Sequence, residues 1–193
     1  MAPMMRPAVL ARRRTEETAM QRVDEIGNAE HVRGPADAAL TVIEYADFQC
    51  PYSARAHIAL RDLGERFGGI RLVYRHLPLA HLHPLAELAA EAAEAGGSQG
   101  RFWDMHDLLY ERQRHIRDEQ DLAVLAEGVD LDIERFRAEI LERRHRARVQ
   151  ADAERARHDG ATGTPTLYIN GVRYHGDSDR ASLERALNGA LGR

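Results

Sequence analysis

The chain holds one cysteine, Cys50, and it stands in the stretch Asp47-Phe48-Gln49-Cys50-Pro51-Tyr52-Ser53. An apolar run from Leu40 to Tyr45 leads into it. A run with apolar residues at helical spacing, Ala54 to Phe67, leads out. A thiol at a strand-to-helix turn meets the unpaired N–H groups and the positive dipole end of the helix. Both stabilise the thiolate, which is the form that attacks disulfides. Pro51 suits the first helical turn, where its missing N–H costs nothing. One cysteine cannot form an internal disulfide, so Cys50 is either a small buried hydrophobe or a reactive group. The helix-start position favours the reactive reading. Ser53 follows one turn later, where its hydroxyl is placed to donate to the thiolate. An alcohol, however, cannot resolve a mixed disulfide.

These residues need elements to hold them. Leu40 to Tyr45 reads as a buried strand carrying one acid, Glu44, six residues before Cys50. The helix after Pro51 stops at Gly68-Gly69, and Ile70 to His76 reads as a second strand, completing a parallel crossover unit. A helical block follows at about 80–158. Its Phe102-Trp103 pair reads as core, and Asp132 caps a helix over Ile133 to Leu141. The run from Arg143 to His158 reads as one charged helix, its basic residues a solvated face. Thr164 to Ile169 and Val172 to His175 flank Asn170-Gly171, the pattern of a tight hairpin. Ser178 or Asp179 caps a last helix, Ala181 to Leu191. Residues 1–33 form a polar arm with a short helix expected over Thr15 to Ile26, and Gly34-Pro35 opens a domain over 34–193. The class is α/β, ordered β-α-β, helical insert, β-β-α.

That order is a thioredoxin-like fold with a helical insertion, and three separated motifs resemble the DsbA-like thiol-disulfide oxidoreductases. They are Glu44 to Tyr52, then Tyr74-Arg75-His76-Leu77-Pro78-Leu79 with His83-Pro84, then Gly163-Thr164-Pro165-Thr166 with its hairpin. The resemblance runs from about Gly34 to Leu191. It is strongest to actinobacterial-type members found alone or fused to transporters. It implies that Cys50 is the nucleophile and that Pro165, preceded by Thr164, is a substrate-binding cis-proline. It also implies that Glu44, Pro51 and Tyr52 tune the site. One departure matters: Ser53 stands where the family has a second, resolving cysteine. The resemblance therefore implies monothiol exchange with protein thiols or disulfides. No cofactor is tightly bound, and glutathione or mycothiol serves as co-substrate. Two other readings stay open: a glutathione-dependent isomerase or transferase of kappa-like type, and a non-enzymatic chaperone or docking module with a relic site.

Composition narrows the remaining classes. The chain has 193 residues, 44% of them hydrophobic, and a net charge of −4, which gives no field for nucleic acid or an anionic membrane. All 27 basic residues are arginine, a codon-composition trait without functional content. No run reaches the roughly 18 apolar residues of a spanning helix. The basic N-terminus encloses too short an apolar core for a signal peptide, so the expected compartment is the cytoplasm. His76, His81 and His83 match no ligand spacing, and no metal is expected. The sequence carries no indication of oligomeric state.

Overall fold

The computed structural model describes residues 26–27 and 30–193. Most of the N-terminal arm, with the expected helix from Thr15, lies outside the described residues. The described elements run β1 (His31–Arg33), β2 (Thr41–Ala46), α1 (Pro51–Arg66), β3 (Arg71–His76), α2 (Ala86–Ser98), α3 (Phe102–Glu111), a 3-10 turn (Gln113–His115), α4 (Glu119–Gly128), α5 (Ile133–Leu141), α6 (Arg146–His158), β4 (Thr166–Ile169), β5 (Val172–Arg173) and α7 (Arg180–Ala190). The sheet order is β1-β3-β2-β4-β5. β2 is central: it pairs in parallel with β3 and antiparallel with β4. This is the thioredoxin-like α/β fold that the sequence motifs imply, with α2 to α6 inserted between β3 and β4.

Side-chain alternation along β2 sorts the core. Val42 faces α1 and α7, packing with Leu60, Leu63, Leu183 and Leu187. Ile43 and Tyr45 face the other way, against Val73, Tyr168 and Ala156 of α6. Ala46 and Phe48 join Tyr74 to the insert, where Ala92, Phe102, Met105 and Leu109 bury the helical stripes. Phe102 is thus core, as its apolar face predicts.

The local signals act as their chemistry requires. Asn170 and Gly171 both take positive φ (47° and 79°), the geometry of the tight hairpin turn joining β4 to β5. The side chains of Asp132 and Asp179 accept from the third N–H of α5 and of α7. Gly34 has φ +97°, and a Cβ there would stand 2.0 Å from the Ile70 carbonyl oxygen, so only glycine fits.

Two expectations need correction. The sheet begins at His31, before the domain start expected at Gly34, because His31–Arg33 pairs antiparallel with Leu72–Tyr74. A three-residue edge strand is too short to show period-2 alternation. The charged helix expected from Arg143 begins instead at Arg146, because Arg143 takes φ 51° and breaks the run. That turn carries the Arg143 guanidinium onto Glu91 at 2.6 Å and Glu87 at 3.2 Å, so acids do balance the basic run.

Candidate active site

Cys50 is the N-cap residue of α1, with Pro51 opening the helix. Its side chain is 4% exposed and its Sγ lies 3.2 Å from the Thr164 carbonyl oxygen, the thiol donating. The Thr164–Pro165 peptide is cis. The loop before β4 therefore forms one wall of the thiol site and the start of α1 the other. A groove of about 200 Å³ runs between them, lined by Tyr52, Arg55, Thr164, Pro165 and Asp177 among others. Tyr52 is 57% exposed on its rim, with the Arg55 guanidinium 5.5 Å from its ring centroid.

Ser53 does not meet the thiol. It is fully buried, and its Oγ accepts from the Asp47 N–H at 3.4 Å. The expected hydrogen bond from Ser53 to Cys50 is not formed. The first turn of α1 points Ser53 inward, under the loop, while Cys50 at the cap faces Thr164.

Glu44 lies on β2 between Tyr74 of β3 and Leu167 of β4. It is fully buried, and neither carboxylate oxygen has a partner. Burial pushes its carboxyl up to about 8, so it is protonated at neutral pH.

The approach to Cys50 is held by side chains to which the sequence reading gave no role. The buried Asp47 carboxylate accepts from the Gln49 N–H at 2.7 Å, the Leu79 N–H at 2.8 Å and His83 Nδ1 at 2.8 Å. Gln49 Oε1 accepts from the Leu85 N–H at 2.7 Å. From the insert, Gln113 Nε2 donates to the carbonyls of Phe48 at 2.8 Å and Cys50 at 3.0 Å. A chain of bonds therefore fixes the loop to the insert on both sides of the nucleophile. Gln113 sits far from the motif in sequence, within a polar run, and no local pattern marks it.

The three expected histidines separate: His83 serves Asp47, whereas His76 Nε2 bonds Glu94 at 2.9 Å. His31 Nε2 reaches the same Glu94 oxygen at 2.7 Å. Burial alone would raise the Glu94 carboxyl, but the bonds from His31 and His76 outweigh it and hold it well below its ordinary value.

Comparisons with known proteins agree with this architecture. A family model described as thioredoxin matches residues 27–189. The oxidised BdbD of Bacillus subtilis superposes with a TM-score of 0.74 at 21% identity, covering 85% of this chain and 94% of that one. A thioredoxin-like oxidoreductase from Silicibacter pomeroyi DSS-3 gives a TM-score of 0.72 at 26% identity, over 86% and 95%. In sequence, the chain is 48% identical over 162 residues to Na(+)/H(+) antiporter NhaA 1 of Salinispora arenicola, and 47% identical over 162 residues to NhaA 3 of Salinispora tropica. Each match takes 84% of this chain and 25% of the relative, so the chain spans about a quarter of the length of these curated relatives. Among the described residues no helix is long and apolar enough to cross a membrane.

Proposed function

The chain belongs to the thioredoxin family, and from that premise we propose that it is a monothiol thiol-disulfide oxidoreductase acting through Cys50. The observation that carries the reading is the placement of the Cys50 sulfur: at the cap of α1, 3.2 Å from the carbonyl of Thr164, which itself lines the groove with Tyr52 and Pro165. A disulfide laid in that groove brings a sulfur to Cys50 while its chain runs along Thr164 and Pro165, which bind it as an added strand would be bound.

The cycle balances with one thiol. The Cys50 thiolate attacks one sulfur of a substrate disulfide. The S–S bond breaks, a mixed disulfide forms at Cys50, and the other sulfur leaves as a thiolate that takes a proton from water. An external thiol of the glutathione or mycothiol type then attacks the substrate sulfur of the mixed disulfide. It restores the Cys50 thiolate and carries the substrate away as a new disulfide. Cys50 ends unchanged, so the protein exchanges and reshuffles disulfides without storing an oxidising equivalent. Such a cycle consumes a small thiol and suits a reducing compartment such as the cytoplasm. Glu44, protonated in β2, adds no charge to the sheet that leads into the active-site loop. Pro51 and Tyr52 shape the cap and the rim.

The antiport named in the curated relatives is said of proteins of which this chain matches a quarter.

The test is exchange with a glutathionylated or disulfide-bonded model protein in excess glutathione, followed by mass spectrometry. The expected result is a covalent adduct on Cys50 and turnover that Cys50→Ala abolishes. Turnover equal in Cys50→Ala and wild type sinks the proposal and leaves a docking module. Glutathione conjugation to an electrophile without disulfide exchange points to a transferase instead.

A further inference from the structure

His57, His106 and Asp107 meet at a place the thiol chemistry does not use. His57 comes from α1, and His106 and Asp107 come from α3. His106 Nδ1 lies 2.8 Å from Asp107 Oδ1, and His57 Nε2 stands 3.9 Å from the same oxygen. One nitrogen of each imidazole and a carboxylate oxygen all lie within 4.8 Å of one another. The two histidines are 3% and 0% exposed, and His57 Nε2 is buried without a hydrogen-bond partner. A buried polar atom left in that state costs about 1–3 kcal/mol, so the gap beside it calls for an occupant.

The surroundings suit a cation. Asp107 is oriented through its other oxygen, Oδ2, which accepts from the Arg33 guanidinium at 2.9 Å. That leaves Oδ1 turned to the imidazoles, as an outer-shell partner should. His57 and Arg33 also line a groove of about 350 Å³ beside Leu60, Gly64 and Gly69, so the cluster reaches this groove through His57.

We propose that His57 Nε2, His106 Nδ1 and Asp107 Oδ1 form a three-ligand site for a borderline divalent cation, Zn2+ fitting best, with a fourth position left for water. Two imidazole nitrogens and one carboxylate oxygen are a zinc donor set, and three protein ligands leave a solvent position. Metal–ligand bonds of about 2.0–2.1 Å set tetrahedral neighbours roughly 3.3 Å apart. The 2.8 Å pair must open and the 3.9 Å pair must close, each by less than about 1 Å, and the two imidazole nitrogens, within 4.8 Å of each other, must draw together. The positive charge of Arg33 and Arg61 opposes the ion, and Asp107 and Glu111 offset it, so binding is weaker than at a closed four-ligand site. The neighbouring His31, His76 and Glu94 cluster differs. Both imidazoles already bond Glu94 Oε1 through Nε2, whereas His57 Nε2 has no hydrogen-bond partner.

The experiment uses the full chain in a Cys50→Ser background, so that the thiol cannot bind the metal. Equilibrium dialysis with Zn2+ gives the stoichiometry, and Co2+ absorption reports the coordination geometry. The expected result is one Zn2+ per chain and tetrahedral-type Co2+ bands. His57→Phe, which keeps the ring stacked on Tyr110, and Asp107→Asn should each weaken binding on the order of 100-fold. Glu94→Gln should leave it unchanged. Absence of stoichiometric Zn2+ overturns the site, as does binding that survives both variants or is lost in Glu94→Gln. Circular dichroism checks each fold, and Asp107→Asn decides if His57→Phe does not fold.

Discussion

The Ser53 hydroxyl accepts from the Asp47 N–H while the Cys50 thiol turns to the Thr164 carbonyl, so the two side chains of the Cys-x-x-Ser motif serve different partners. Replacing Ser53 by cysteine puts a second thiol three residues from Cys50, beneath the cap. The Ser53→Cys variant should form an internal disulfide with Cys50 and gain insulin-reducing turnover with a dithiol reductant. Failure to form that disulfide under mild oxidant would contradict the site geometry. Glu44 gives the pH prediction. Its carboxyl titrates near 8 when folded and near 4.5 when unfolded. Between those values the folded chain holds a proton that the unfolded chain has released, so stability falls as pH rises. The penalty is absent below 4.5, grows up to about 8, and amounts to a few kcal/mol at most. Glu44→Gln removes this slope. Its Tm relative to wild type should rise steadily from pH 5 to pH 8, and parallel Tm profiles would show that Glu44 is already ionised.

At the scale of elements, the insert holds the active-site loop through Gln113. Gln113→Leu strips the donor from two carbonyls; Cys50 keeps the Ala54 N–H at 3.1 Å, but Phe48 loses its partner. The expected cost is about 1–3 kcal/mol in urea unfolding, together with slower exchange at Cys50 as the loop loosens. Unchanged exchange with full loss of stability would confine Gln113 to a structural role. This element also marks where the sequence stops being readable. Cys50-Pro51, Asn170-Gly171, Asp132 and Asp179 announce their elements because capping and turn chemistry are local. The cis peptide at Thr164-Pro165 was expected from the family resemblance and not from local chemistry. Strand β1, the turn at Arg143, the clamp from Gln113 and the meeting of His57 with Asp107 depend on partners distant in the chain. No window of sequence contains them.

At the scale of the molecule, the insert and the thioredoxin core share a large apolar cluster. Phe48 and Tyr74 of the core pack with Phe102, Met105 and Leu109 of the insert, and Phe48 and Tyr110 rings lie 4.9 Å apart. Buried polar bonds cross the same boundary: Tyr74 to Tyr110 at 3.1 Å, and the His76 backbone N–H to Asp152 at 3.0 Å. The N-terminal edge is tied in as well, since Glu30 binds the fully buried Arg75 guanidinium through both oxygens at 2.8 and 2.9 Å. Trp103, the only tryptophan in the chain, reads this docking directly. Its Nε1 donates to the Val32 carbonyl at 3.3 Å, and the Arg33 guanidinium lies 4.3 Å from its ring. Contacts of this number tie the insert to the sheet, although the core also packs a cluster of its own around Val42, Leu63 and Leu183, so both should unfold together. The urea midpoint from Trp103 fluorescence should coincide with that from far-UV circular dichroism, in one transition. Fluorescence lost at lower urea than ellipticity would mean that the insert opens from the sheet while the rest stays folded. The clamp on Cys50 would then be a movable one.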